Sequence, residues 1–427
     1  MSAMSAMAAK TDGPRSVPAD LTKPKLRILL LTPYTGGNLG DAAIQDAVIH
    51  HLRKRLVEPQ IRLVTLTPGA TTKLHGLPSF PIQEPARTDG AGRLGARIRR
   101  MGRELRHWLA AFRLLKETDL LVMSGGGQID DFWGGPMGHP YALFKWASMA
   151  RLCGARVVFL SVGVCSLRSR LGRGLAYRAL RFASYRSYRD HGSKELLREA
   201  AFTRTDPEYP DLAFSYPCAQ EEALPAQSAK RTNLVVGISP MVYQSPQSCW
   251  PESDAKVYEG YLQTLCEFAA QVLEAGHTVV LFTSSQMDRL AVENLQAKLR
   301  QHPRNASWGG RLRQVEQTDL NGLLEEIREL DLVVASRLHG IILSHLLGKP
   351  ALAVSYDRKV RAHAADMGQE RFCLDLIDCT SRQLWDAFSR LSSETNPISA
   401  GIRARVRERS QKLAQQYDLL VQLAAAA

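Results

Sequence analysis

No run of apolar residues in this chain approaches the roughly 18 needed to cross a bilayer as a helix. Paired cysteines are missing too. The seven cysteines, at 153, 165, 218, 249, 266, 373 and 379, form no CxxC pair, and no histidine cluster accompanies them. A disulfide framework and a metal site are therefore not expected, and a reducing, cytoplasmic setting fits best. The first 24 residues are rich in Ala, Ser, Met and Pro but have no apolar h-region, so a disordered tail is expected over 1–24, not a signal peptide. Acidic residues are in deficit. Against 55 Lys and Arg stand 42 Asp and Glu, a net charge of +13 over 427 residues. Such an excess favours anionic partners: nucleic acid, anionic lipid or small phosphorylated substrates. What is present is globular, with 45% hydrophobic and 23% charged residues and length enough for two domains or more.

Residues 25–32, KLRILLLT, read as a short buried strand. A glycine-rich turn follows, and then Ile44, Val48, Leu52 and Leu56 mark one apolar helix face. Strand, glycine-rich turn and helix begin a Rossmann-like unit. The alternation repeats up to about residue 215. It breaks in a proline-rich stretch, where a linker is expected over 216–232, and restarts with NLVVGISP. Two doubly wound α/β domains facing a cleft are expected, over 25–215 and 233–427, the second ending in a terminal helix at 403–423. Ligands of such domains bind beyond the carboxyl ends of strands, here between the halves.

Three strand ends carry chemistry. In SRLHG, Arg337 and His339 lie between an apolar strand and a helix N-terminus, where free backbone N–H groups favour an anion. Arg337 supplies a forked cation and His339 a proton carrier near neutral pH. The alternative is an arginine paired with a structural carboxylate and a histidine capping a turn. Lys359, after the next strand, either faces the same cleft or is a solvated loop lysine. TGGNLGDAAI is neither GxGxxG nor a P-loop, so dinucleotide or nucleoside triphosphate binding is not indicated. Asn38 and Asp41 could hydrogen-bond sugar hydroxyls, Asp41 could cap its helix, or both. SGGGQIDD offers bare backbone at Gly125, Gly126 and Gly127, for close ligand approach or a tight turn; Asp130 and Asp131 beside it read as caps. SYRSYRDHGS gathers Arg186, Arg189 and His191, with Arg189 a second cation for the same cleft.

Residues 93–115 differ in kind. Leu94, Ile98, Met101, Leu105, Trp108, Phe112 and Leu115 recur at helical spacing beside seven arginines and one acid, Glu104. Such a basic amphipathic helix either lies on an anionic membrane or packs on the first domain with a solvated basic face.

Taken in order, GNLGDAAI, SGGGQIDD, SVGV, SYRD, DLAF and ASRLHGIILSHLLGKPALAVSYDRK followed by MG resemble the polysaccharide pyruvyl transferase family. These motifs run from about residue 29 to 368, and the last block is the specific one. The resemblance implies a GT-B-like fold and transfer of pyruvate from phosphoenolpyruvate onto a sugar as a ketal. It matches Arg337 and His339 to the family's RLH block and Arg189 to its RD motif, residues associated there with phosphoenolpyruvate. Implied partners are phosphoenolpyruvate and a saccharide or lipid-linked saccharide of bacterial polysaccharide assembly, with no nucleic acid and no cofactor. The implied setting is cytoplasmic, with peripheral contact at the inner membrane. Two other readings stay open: a GT-B glycosyltransferase using a nucleotide sugar, with Glu325 or Glu326 on the ribose, and a non-catalytic glycan-binding relative.

Overall fold

The apolar run RILLL alternates nothing, as expected for a strand covered on both faces, and both faces of a parallel sheet are covered. The computed structural model describes residues 25–425 except 35, 85–92, 133, 166, 200–201, 203, 220–232, 249, 251 and 317–318. The expected tail over 1–24 and residues 220–232 of the expected linker lie outside the described residues.

The first sheet is built from β1 (Arg27–Leu31), β2 (Gln60–Thr65), β3 (Ser79–Pro81), β4 (Leu120–Ser124), β5 (Arg156–Val162) and β6 (Tyr185–Tyr188). Its order is β3-β2-β1-β4-β5-β6, and every pairing is parallel. The second sheet holds β7 (Val235–Ser239), β8 (Thr278–Leu281), β9 (Leu312–Gln314), β10 (Leu332–Ala335), β11 (Ala351–Ser355) and β12 (Cys373–Asp375). It repeats the same winding, β12-β11-β10-β7-β8-β9, again all parallel. Both are doubly wound Rossmann-like sheets. In each, strand order reverses at one point, β1/β4 and β7/β10, and such reversals open a crevice for ligands. The four strands at the reversals lead into Pro33, Gly125–Gly127, Pro240 and Ser336–His339, so the SGGG and SRLHG motifs fall at the two reversals, while SYRD follows the edge strand β6 and Lys359 follows β11.

Several elements had no strong sequence signal. Short edge strands β3, β9 and β12 are three residues each, too short for a period to show. Helix Arg170–Phe182, not among the expected elements, buries Gly172, Leu175, Ala176, Ala179 and Leu180 along one face. The last helix, expected at 403–423, runs from Thr395 to Ala425. It returns to the first sheet. Tyr417 stacks on His51 at 4.3 Å, Arg55 pairs with Asp418 at 2.7 Å, and Arg156 Nη1 donates to the Leu423 carbonyl.

Gln416 on this helix is fully buried. Its Nε2 donates to Ser187 Oγ at 2.6 Å, and its Oε1 accepts from Ser161 Oγ at 3.0 Å. Ser161 sits at φ +47°, where the β5–β6 register shifts. The amide therefore satisfies two buried hydroxyls at an irregular point of the sheet. Gln416→Leu should lower unfolding free energy by about 1–3 kcal/mol, the usual cost of stranding buried polar groups. Urea denaturation checks this, and an unchanged midpoint would show that the helix end contributes nothing there.

Candidate functional site

Two loops from opposite domains meet before any side chain is considered. Leu39 N donates to Ser284 O at 2.9 Å, and Gln286 N donates to Gly37 O at 2.8 Å. Asn38 and Ser285 form an isolated antiparallel bridge. The β1 loop is thus hydrogen-bonded along its backbone to the loop after β8, and the crevices face one another.

Helix Leu39–Arg55 starts on this seam. Asn38 is its N-cap, with Oδ1 accepting from Gly40 N and Asp41 N, and its Nδ2 donates to Asp41 Oδ2 at 2.7 Å. Asn38 rather than Asp41 is therefore the cap, which corrects the capping alternative given for Asp41. Asp41 is freed to point inward. An added Cβ on Gly126 would lie 3.5 Å from Asp41 Oδ1, so the carboxylate rests over bare backbone. Burial pushes the Asp41 carboxyl up to about 6, with His339 opposing, Asp211 adding, and Arg189 and Arg337 opposing.

His339 comes from the other domain, in the first turn of helix Leu338–Leu346. A Cβ on Gly40 would meet its ring and Cβ at 2.1–2.2 Å. Only glycine lets the first helix approach that ring. His339 Nε2 stands 3.7 Å from Asp211 Oδ2, too long for a hydrogen bond, and this buried nitrogen has no hydrogen-bond partner among the described residues.

Asp211 Oδ2 also receives Arg189 Nη1 at 3.2 Å, and Arg189 Nε donates to Asp190 at 3.3 Å. Asp211 Oδ1 accepts from Ala213 N at 3.0 Å. Burial alone would raise this carboxyl. The neighbouring His339 ring and Arg189 guanidinium outweigh it and hold Asp211 well below the usual carboxylate range. A Cβ on Gly163 would lie 2.8 Å from Arg189 Nη2, so the guanidinium also lies on bare backbone. Gly163 N in turn donates to Gly126 O at 2.7 Å.

Arg189 and His339 therefore converge on one carboxylate. Arg337 turns a different way. Its Nε and Nη2 grip Asp288 at 2.5 and 2.9 Å, and its guanidinium lies 5.9 Å from the Trp250 ring centre. Asp288 is completely buried and also accepts from Val242 N at 3.0 Å. This is the structural-carboxylate alternative, realised, and it ties together the loops after β7, β8 and β10. Among the described residues no acceptor bonds the Nη1 edge of Arg337. Lys359 lies 3.5 Å from Asp357 and lines a recess with Arg189, Asp211, Leu338, Ile342 and His363. Burial disfavours its charge, but Tyr356, Cys165 and Asp357 prevail and raise its pKa.

Other candidates fall elsewhere. Arg186 is buried against Asp206 at 2.9 and 3.1 Å and belongs to the scaffold. His191 is exposed beside Glu195. Asp131 accepts from Arg168 N and Ser169 N, and Asp130 from Phe132 N, so both tie loops. Gly125 and Gly126 have φ of +55° and +62°, in the left-handed region that favours glycine. Their first task is the turn and the seat for Asp41. Glu325 is exposed, and Glu326 faces Arg313 at 3.7 Å. Asp288 had no readable signal, lying in SSQMDRL far from any motif. Asp211 opens the DLAF motif, so its position was visible though its role was not.

Asp41 yields a signed prediction. Its folded pKa of about 6 exceeds the ordinary value of 3.8, so its stabilising contribution is present at low pH and lost as pH rises through 6. Asp41→Asn should therefore gain on the natural chain by roughly 3 kcal/mol between about pH 4 and about pH 8. Urea melts of both proteins across that range test it; parallel pH profiles would refute it.

Comparison with known proteins agrees with this architecture. A glycosyltransferase from Rickettsia africae superposes with a TM-score of 0.58 at 9% identity, covering 94% of this chain and 99% of that one. UDP-GlcNAc 2-epimerase from Methanocaldococcus jannaschii gives 0.55 at 13% identity, covering 86% and 92%. Spinosyn forosaminyltransferase gives 0.55 at 16%, covering 94% and 99%. At such identities the likeness is one of fold, two facing Rossmann-like domains of the GT-B kind. No curated protein sequence matches the chain. The polysaccharide pyruvyl transferase model, however, matches residues 38–358, from the Asn38 cap through the RLH turn to the helix that carries Lys359, and the chain belongs to that family.

Proposed function

We propose that this protein moves pyruvate from phosphoenolpyruvate onto two hydroxyls of a bacterial saccharide, forming a ketal and releasing phosphate. The observation that carries the reading is the single carboxylate of Asp211, which holds Arg189 of one domain beside His339 of the other. That pairs an anion-binding group with a proton carrier at the meeting of the two crevices.

The chemistry asks for both. Phosphoenolpyruvate carries a phosphate and a carboxylate, and Arg189, Lys359 and the open Nη1 edge of Arg337 are suited to them. The methylene carbon must gain a proton, which leaves C2 cation-like. One sugar hydroxyl adds there, the C2–O bond to phosphate breaks, and the second hydroxyl closes the ketal. Two hydroxyl protons are given up. One balances the proton now on the methyl carbon and the other leaves on phosphate. Proton traffic is therefore internal, and His339, whose Nε2 lies 3.7 Å from Asp211 with no hydrogen-bond partner among the described residues, is the group we assign to carry it. Asp41, neutral below about 6, is a second proton carrier in the cluster. With Asn38 and the close backbone of Gly125–Gly127 beside it, Asp41 marks the acceptor side of this proposal.

The pairing of the arginines sharpens the test. Arg337→Ala leaves Asp288 buried without its counter-charge and should cost about 3–5 kcal/mol of stability, so loss of activity in that variant means little. Arg337→Gln combined with Asp288→Asn keeps the acceptor for Val242 N. It should fold and still bind donor weakly. His339→Gln should keep donor binding within a few-fold and lower turnover on the order of 10²- to 10⁴-fold. Thermal shift with phosphoenolpyruvate beside UDP-sugars reads donor binding. Phosphate release with lipid-linked oligosaccharides reads turnover. Stabilisation by a UDP-sugar alone, or full turnover in His339→Gln, would overturn the proposal.

A further inference from the structure

Helix Arg93–Lys116 carries a surface that the candidate site does not use. Its inner side is fixed by a polar network. Lys145, with no exposed side chain, donates to Glu104 Oε1 at 3.0 Å. Tyr141 OH donates to the same oxygen at 2.8 Å and accepts from Trp108 Nε1 at 2.8 Å. His107 Nε2 meets the Pro81 carbonyl at 2.9 Å. Ala111, Leu114 and Leu115 complete the buried side. The expected apolar stripe is thereby split: Trp108 and Leu115 turn inward, and Leu109 joins the outer row. A helix pinned in this way cannot roll to hide its other face.

That outer face is apolar. Ile98, Met101 and Leu105 are 62%, 67% and 63% exposed, and Leu109 and Phe112 continue the row. At 100° per residue these five positions fall within about 80° of arc. The row extends past the helix, because Cys153 Sγ lies 3.8 Å from Phe112 O and its neighbour Leu152 is 79% exposed. Along one flank run Arg99, Arg106 and Arg113 at seven-residue spacing, so they stay in line. All three are exposed, and no carboxylate among the described residues pairs with them. Lys116 lies 5.1 Å from the Phe112 ring centre at the end of the ridge.

From this face we infer that the protein docks peripherally on an anionic lipid surface, with the ridge Ile98–Phe112 inserted at the headgroup boundary and the arginine row against lipid phosphates. Charge decides the occupant. A second copy of the chain would bring another arginine row to an interface without free acids, since the helix's one carboxylate, Glu104, is committed to Lys145. A bilayer containing acidic lipid supplies both an apolar layer and the missing negative charge. No helix among the described residues is long and apolar enough to cross a membrane, so the contact is on the surface.

Flotation of the full chain with vesicles tests this. Binding to phosphatidylcholine containing phosphatidylglycerol should be strong, should fall steeply as salt rises, and should be weak on phosphatidylcholine alone. Leu105→Asn with Phe112→Asn, and separately Arg99→Gln with Arg106→Gln and Arg113→Gln, should each lower partitioning at least about tenfold. The arginine changes should leave the melting temperature nearly unmoved, and the Leu105 and Phe112 pair should lower it by only a few degrees, since Leu105 is 63% and Phe112 36% exposed. Three results would overturn the inference: no flotation of folded wild-type protein with acidic vesicles, flotation untouched by both variants, or a dimer by light scattering that the Leu105 and Phe112 changes dissolve.

Discussion

One carboxylate settles how the halves of this molecule act together. Asp211 is buried at the seam, after β6, and takes Arg189 from its own domain and His339 from the other. A buried charge is tolerable only with partners, and here the partners are themselves the groups with chemistry to offer. Domain placement, the position of the guanidinium and the setting of the imidazole are thus one constraint. Loosening any of the three exposes the carboxylate to an unbalanced site. The backbone bridge between Asn38 and Ser285 acts in the same sense, locking the N-terminus of the helix that carries Asp41 to the second domain.

The cations here are not waiting in the open. Arg189 has Asp190 and Asp211, Arg337 has Asp288, and Lys359 has Asp357. Before an anion arrives, the cluster is close to charge balance. Each pair trades gross attraction for orientation: the fork of Arg337 is held by two contacts while Nη1 stays available, a geometry that lysine cannot copy. Fixed dipoles and charges of this kind need little rearrangement as charge develops in a reacting molecule. The excess of +13 must then lie mostly outside the crevice, and helix Arg93–Lys116 carries a concentrated share of it.

The fold was legible because its signal is periodic and local. RILLL, LLVMS and LVVA are buried on both faces and read as buried strands without ambiguity. Glycine-rich turns then mark where each strand ends. The three-residue edge strands were not legible, since pairing at the margin of a sheet rather than their own pattern makes them strands. The candidate site divides in the same way. Arg337 follows a strand end yet turns to Asp288, whereas Arg189, His339 and Asp41 follow strand ends and gather, so that convergence could be reasoned from the rule that ligands sit beyond those ends. Asp288 could not, because its importance is purely tertiary: nothing in SSQMDRL says that an arginine 49 residues later will close on it. The basic helix was seen, but which residues faced outward depended on Glu104 and Lys145, 41 residues apart.

The glycines give the last link between backbone and chemistry. Gly40 leaves room for the His339 ring, Gly126 for the Asp41 carboxylate, and Gly163 for the Arg189 guanidinium. At Gly40 a methyl group would fall inside the imidazole, so the first helix would have to withdraw from the second domain. At Gly163 it would meet both Arg189 Nη2 at 2.8 Å and the Gly126 carbonyl at 2.9 Å, and the latter is backbone that cannot swing aside. The glycine-rich motifs here differ from those that cradle a dinucleotide: these contacts are with the protein's own titratable side chains. Bare backbone allows three ionisable groups from different strand ends to approach one another closely. The Asp41 carboxyl registers that closeness, since burial pushes it up while Arg189 and Arg337 oppose that push.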